Sequence, residues 1–161
     1  MKTTWRTLWQ QHDIVVLRND IEVDRLPAAT IERVLLVYRG RGDNPVDVEQ
    51  CIVELVDGGG YALFEPGTGF AGRVNFERQA FWQERSCVFW VSAHAATLPW
   101  RLRFAVWRGE GSSPSFRRLA RDELDGSIAR WPVDGPETWD ERKLRLIERE
   151  RPFGNARDAH A

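Results

Sequence analysis

Short apolar runs separated by turn-forming residues constrain the fold of this chain most strongly. Residues 14–17 are an apolar, mostly β-branched run, and residues 21–26 alternate in character after the turn-favouring Asn-Asp pair at 19–20. A second pair of runs flanks the Asp-Gly-Gly-Gly sequence at 57–60, which is typical of a hairpin turn. Short strand-like runs on both sides of such turns indicate antiparallel β-hairpins.

Helical spacing appears at the two ends of the chain. Trp5, Leu8 and Trp9 recur at intervals of three and one, so Trp5 and Trp9 fit one face of a helix. Ser113 followed by Pro114 is typical of a helix start, with an apolar stripe behind it. We therefore predict, in chain order, an N-terminal helix or arm (1–12), an antiparallel sheet (13–108) with an inserted helix (73–85), two C-terminal helices (113–151) and a flexible tail (153–161).

This order of elements predicts an α+β or mainly β protein. About seven antiparallel strands would form a roll or barrel, with one inserted helix and two C-terminal helices. In element order alone, this arrangement is similar to a pleckstrin-homology-like roll. At 161 residues the chain has the length of one domain, and we expect residues 1–152 to fold as a single globular unit.

Composition excludes several classes of function. The 23 basic and 24 acidic residues leave a formal net charge of -1, whereas a nucleic-acid-binding protein usually has a basic excess. No run approaches the roughly 20 apolar residues of a membrane-spanning helix, and the N-terminus has no secretory leader pattern. We therefore expect a cytoplasmic protein in which Cys51 and Cys87, each inside an apolar run, are buried and not disulfide-bonded.

A glycine-rich sequence at 67–72 matches the spacing G-x-G-x-x-G of dinucleotide-binding loops. The strand before it returns from a tight hairpin, no acidic residue follows at the expected distance, and no further βαβ unit is present. We therefore expect no nucleotide cofactor. The loop can still border a pocket for a small molecule, with Arg73, Glu77 and His94 as its polar groups. The histidines lack metal-ligand spacing, so we expect no metal.

Arg101, Arg103 and Trp107 form the second candidate site. In a strand over 100–108 they share one face, while Leu102 and Phe104 face the core. Two arginines beside an aromatic ring can bind an anion. The same face can instead pack beneath the C-terminal helices, and the sequence leaves both interpretations open.

The excess of arginine and tryptophan favours a binding function. Of the 23 basic residues 21 are arginine, and the chain has 8 tryptophans, a residue enriched at interfaces. The charges on the helix at 136–151 are predicted to lie on a solvated face, paired at intervals of three and four. No catalytic motif is present, so we expect a non-enzymatic module for protein contacts or self-association. The alternative is a small-molecule-binding protein or small enzyme with a pocket near residues 67–72.

Overall fold

Two β-sheets and two helices make up most of the described chain. The structure is a computed structural model that describes residues 3–42, 47–64, 86–99, 102 and 116–149. Within these residues the sheets have the strand orders β1-β2-β3 and β7-β4-β5-β6-β8. The elements are β1 (Trp5–Gln10), β2 (Asp13–Arg18), β3 (Ile21–Pro27), β4 (Ile31–Tyr38), β5 (Val48–Leu55), β6 (Tyr61–Phe64), β7 (Val88–Ser92), β8 (Phe116–Leu119), α1 (Arg121–Ile128) and α2 (Trp139–Arg149).

The first sheet confirms the predicted hairpin between residues 14 and 26. Asn19 and Asp20 both have positive φ, 51° and 65°, as a two-residue turn of type I′ requires. The predicted N-terminal helix is wrong, because Trp5–Gln10 is a strand paired with β2. The spacing of Trp5 and Trp9 fits one face of a strand equally well. Both side chains pack against the core with Thr7 between them on the same face, whereas Arg6 and Leu8 are exposed.

The second sheet has β4 and β5 at its centre. The hairpin from β5 to β6 is confirmed, and its turn has positive φ at Asp57 and Gly58. Strand β7 pairs with β4 in parallel, whereas every other strand pair among the described residues is antiparallel. The predicted antiparallel pairing is therefore confirmed for all of these pairs except β4 with β7, which makes the second sheet mixed.

Two apolar clusters lie on the opposite faces of the second sheet. One contains residues of both sheets, among them Ile14, Leu26 and Val53, so the sheets pack face to face. The other joins the far face of the second sheet, including Leu35, to Leu124 of α1 and to Ala96, Leu98 and Leu102. The second sheet is therefore covered on both sides, which explains its long runs of buried residues.

The first of the two predicted C-terminal helices is replaced in its early part by a strand. Phe116–Leu119 is a strand on the edge of the second sheet, where the Phe116 ring lies 4.9 Å from that of Phe64. Helix α1 begins only at Arg121, after the Ala120 N–H donates to the Glu123 carboxylate at 2.7 Å. The second helix, predicted within residues 136–151, is confirmed as α2.

These observations revise the predicted architecture. The described residues contain eight strands where about seven were expected, and these strands do not close into a barrel. The order expected of a pleckstrin-homology-like roll is not confirmed, and the helix predicted at 73–85 lies outside the described residues. Leu102 is buried as predicted, but its N–H donates to the Pro99 carbonyl in a helical turn. Cys51 and Cys87 are buried and not disulfide-bonded, as predicted.

Candidate functional site

Most of the residues predicted from the sequence to form a site lie outside the described part of the chain. These are Arg73, Glu77, Arg101, Arg103 and Trp107. His94 is described, and it is exposed in the turn after β7 with its backbone N–H near the Ser92 hydroxyl at 3.3 Å. Within the described residues no side chain hydrogen-bonds to its imidazole, so His94 has no catalytic partner there.

A charged cavity lies where α2 passes the end of β4. Its volume is about 530 Å³. The segment before α2 and the chain just after β4 complete its walls. The charged groups in these walls are four arginines and two carboxylates: Arg41, Arg142, Arg145, Arg149, Asp134 and Glu137. The lining described is therefore positively charged overall.

Arg142 is the unusual member of this group. It is only 3% exposed, and its guanidinium carbon lies 4.2 Å from the centre of the Tyr38 ring and 4.8 Å from that of the Trp90 ring. Its Nη2 donates to the Arg41 carbonyl at 2.9 Å, but its Nε is buried without an acceptor. No carboxylate of the described residues forms an ion pair with it. A buried charge is normally paired, so this guanidinium makes the cavity a candidate site.

Hydrogen bonds along the edge of β7 hold the start of α2 in place. Trp90 and Asp134 exchange two backbone hydrogen bonds of 2.8 Å, and the Trp90 indole N–H donates to the Glu137 carbonyl at 2.7 Å. Thr138 and Glu141 then form reciprocal side-chain to backbone hydrogen bonds, the pattern of a capping box. The first turn of α2 is thereby fixed against the sheet, and with it the position of Arg142.

Two rings and a close backbone approach form the inner wall. Tyr38 ends β4, and its ring meets the Trp90 ring edge to face, with centroids 6.2 Å apart. Gly42 has φ +72°, and a β-carbon there would lie 2.7 Å from Cγ of Tyr38 and 3.1 Å from Nη2 of Arg142. Glycine is required at this position because a larger residue would displace the stacked pair.

The other arginines of α2 follow Arg142 on the same helical face. Arg145 is held by the Glu137 carboxylate through hydrogen bonds of 2.9 and 3.2 Å, and these bonds raise the pKa of its guanidinium. Arg149 is exposed, and no carboxylate of the described residues pairs with it. Guanidinium groups at intervals of three and four residues project to one side of a helix. Here they project towards one cavity, where they can bind carboxylate or phosphate oxygens.

A second polar cavity, of about 360 Å³, lies on the opposite face of the second sheet. The Glu54 carboxylate accepts a hydrogen bond from Arg33 at 2.8 Å, and the Tyr61 hydroxyl donates to Asp125. Burial, followed by the hydrogen bond to Asp125, raises the pKa of Tyr61. The phenol is therefore a poor general base, and the charged groups are already paired with each other. This cavity is a weaker candidate than the one at Arg142.

The sequence analysis did not identify Arg142 as a site residue, because it placed all charged side chains of this helix on a solvent-exposed face. The useful signal was its position, three residues after Trp139 and four before Leu146, in the middle of the apolar stripe of that helix. A cation at such a position is either a structural anchor or part of a site. Among the described residues no group of histidine, cysteine and carboxylate side chains is arranged to hold a metal.

Comparisons with known proteins add no identification. The sequence matches no protein-family model, and neither the curated proteins nor the solved structures include a significant match. Among the described residues no helix is both long and apolar enough to cross a membrane.

Proposed function

We propose that this chain is a non-enzymatic binding module that holds an anionic group of a protein partner in the cavity at Arg142. The single observation that supports this most is the buried guanidinium of Arg142, which stacks on two rings and has no carboxylate partner among the described residues. A carboxylate or phosphate from a partner would supply a counter-charge.

Physical chemistry favours an anion over a neutral ligand. The two rings and one carbonyl compensate only part of the cost of removing a guanidinium from water. Hydrogen bonds between a guanidinium and an anionic oxygen are about twice as strong as neutral ones. The anion would gain the neighbouring charges of Arg145 and Arg149 as well, so its binding would involve several charge-assisted hydrogen bonds.

The chemistry of the cavity supports binding rather than catalysis. Its described titratable groups are arginines, two carboxylates and Tyr38. Glu137 is engaged by Arg145, and no described nucleophile lies beside a base there. Acid–base and nucleophilic catalysis both require such a pair.

The choice of partner and compartment belongs to the same proposal. Near-equal numbers of basic and acidic residues, 23 and 24, favour a protein partner over a nucleic acid. Two buried cysteines outside any disulfide support a reducing compartment, the cytoplasm. The alternative, a small-molecule pocket or small enzyme site near residues 67–72 with Arg73, Glu77 and His94, stays a prediction.

An NMR titration with a blocked hexaglutamate peptide tests the proposal. We expect saturable shifts of the backbone amides around 38–42 and 134–149, which surround the cavity. Arg142→Met should abolish these shifts. Arg130→Met is the matched control, because it removes the same charge from an exposed residue outside the cavity lining. The proposal fails if the peptide causes no saturable shift at the cavity, or if the two variants weaken binding equally.

A further inference from the structure

Strand β1 forms an open edge of the first sheet, and we infer that it pairs with β1 of a second copy of this chain. It is bonded to β2 on one side, and no strand of the described residues lies on its other side. Its six residues extend over about 20 Å. Two such edges, antiparallel about a two-fold axis, would join the three-stranded sheets of two chains into one continuous sheet.

The backbone of β1 directs hydrogen-bonding groups towards this edge. The two-residue loop after Gln10 closes with a hydrogen-bonded pair, Gln10 and Asp13. In an antiparallel pair, bonded residues alternate with residues whose N–H and C=O groups point away from the partner strand. Counting back from Gln10, Trp5 and Thr7 are residues of the second kind, so their backbone groups can bond to another strand.

The other sheet edges in the described part of the chain are protected against such pairing. The edge of β3 has a bulge, ends in Pro27, and is crossed by Arg118, which donates to the Arg25 carbonyl at 3.4 Å. The edge of β7 is bonded to the segment at 134–137, and β8 has only four residues. Bulges, prolines, covering segments and short strands are common protections of sheet edges. Strand β1 contains no proline, and its pairing with β2 has no bulge.

The hydroxyl of Thr7 indicates which strand occupies the edge. Its Oγ1 is buried and has no hydrogen-bond partner among the described residues, although buried hydroxyls are normally bonded. With the two-fold axis at Thr7, the two Thr7 residues exchange both backbone hydrogen bonds and lie opposite each other on one face of the sheet. Their hydroxyls can then bond to each other. A foreign strand would satisfy the backbone groups, but it would satisfy this hydroxyl only with a polar side chain at the facing position.

The same register suits the side chains on both sides of the axis. It places Trp5 opposite Trp9 of the second copy, and aromatic pairs across strands are favourable. On the other face it places Arg6 opposite Leu8 of the second copy. Arg6 already pairs with Asp20 at 2.9 Å, so it brings no uncompensated charge to the contact. Leu8 is 37% exposed, and part of that surface would be covered by the alkyl part of Arg6.

This contact is separate from the cavity at Arg142, whose described walls do not include β1. The inference therefore goes beyond the proposed function, and its failure would leave the anion site unaffected. One pair of six-residue strands is small for a protein interface, so we expect an exchanging dimer rather than a permanent one.

Sedimentation velocity and amide hydrogen exchange test the inference on the full-length chain. Between about 5 and about 500 μM, a range that suits a weak interface, sedimentation should show a monomer–dimer equilibrium. By NMR, the Thr7 amide should exchange at least tenfold more slowly at the highest concentration than at the lowest. The Leu8 amide, which is bonded to β2, is the control and should exchange equally slowly at both.

Charge variants at Leu8 test the register. Leu8→Lys places a cation opposite Arg6 of the second copy and should weaken the dimer at least fivefold, whereas Leu8→Glu places an anion there and should strengthen it. Val23→Lys is the matched control. Val23 is also exposed, but it lies in β3 on the opposite edge of the sheet, so its replacement should leave dimerisation unchanged.

A proline variant tests the backbone contact. Thr7→Pro removes the outward N–H without removing a bond to β2, so the chain should stay folded and become monomeric. Its urea unfolding curve reports whether it folds, and the Leu8 variants decide the question if it does not.

A chain that stays monomeric at about 500 μM would overturn the inference. A dimer that Leu8→Lys and Val23→Lys weaken equally, or in which exchange of the Thr7 amide does not depend on concentration, would overturn it as well, because association would then use another surface. A Leu8→Glu dimer as weak as that of Leu8→Lys would contradict the symmetric register.

Discussion

Replacing Arg142 by methionine should remove ligand binding with little effect on stability. Arg142→Met deletes the charge but retains an unbranched side chain between Tyr38 and Trp90. The variant tests whether the buried guanidinium serves the fold or a ligand. The two roles predict clearly different free energies of unfolding for the variant.

The magnitude follows from the contacts of Arg142. Stacking on two rings, at 4.2 and 4.8 Å, is worth about 1–2 kcal/mol for each ring at a desolvated site. The hydrogen bond to the Arg41 carbonyl adds roughly 1.5–3 kcal/mol because the donor is charged. Against these gains stands the desolvation cost, which is still several kcal/mol for one buried ion.

These opposing contributions nearly cancel. The methionine sulfur also recovers about 0.3–1.5 kcal/mol from contact with the rings. We therefore expect Arg142→Met to change the free energy of unfolding by less than about 1.5 kcal/mol. Urea denaturation followed by tryptophan fluorescence measures this value. Leu35→Ala is the control, since the fully buried Leu35 should lose roughly 2–5 kcal/mol in the same assay.

A loss of 3 kcal/mol or more in Arg142→Met would refute this reasoning. Such a loss would mean that the contacts of the guanidinium exceed its desolvation cost. Arg142 would then be an anchor that ties α2 to the sheet, and its buried charge would no longer imply a ligand.

Three further predictions concern the rest of the fold. Gly60→Ala should cost roughly 3 kcal/mol or more, because a β-carbon at φ +84° would collide with a backbone carbonyl of β8; Gly58→Ala, at φ +74° in open space, should cost only about 1 kcal/mol in the same denaturation assay. Burial and a carboxylate raise the pKa of Tyr61, so the folded state resists its ionisation. Stability should therefore be intact below about pH 10 and fall as pH rises further, and Tyr61→Phe should make that decline shallower; an unchanged slope would contradict this. Cys51 and Cys87 should react with a thiol reagent only at the rate of unfolding, and rapid labelling of either in the native protein would contradict their burial.

The two hairpins could be predicted from the sequence because their turn residues lie next to the strands that they join. The Asn-Asp pair at 19–20 and the glycines at 58–60 determine turns whose strands follow directly in the chain. Strand β1 was harder to predict, because Trp5 and Trp9 are four residues apart and this spacing fits either a helix or a strand. Only pairing with β2 decides between the two, and pairing is a tertiary property.

Non-local pairing explains the other errors. The parallel pairing of β7 with β4 joins residues more than fifty positions apart in the chain. The apolar sequence of β7 does not indicate whether this strand pairs in a parallel or an antiparallel direction. The helix predicted from residue 113 onward is wrong at β8. Phe116 and Leu119 are three residues apart, as on a helix face, yet both pair with β6. The cavity at Arg142 was missed for the same reason, since its rings come from β4 and β7 and its charges mainly from α2.

The most direct test of the anion site is a crystal structure of the protein grown or soaked with tungstate, a tetrahedral dianion with strong anomalous scattering. The account predicts an anomalous peak inside the cavity, within hydrogen-bond distance of guanidinium nitrogens of α2, and no such peak in Arg142→Met. Tungstate bound only to exposed arginines elsewhere, with the cavity empty in the wild-type protein, would contradict it.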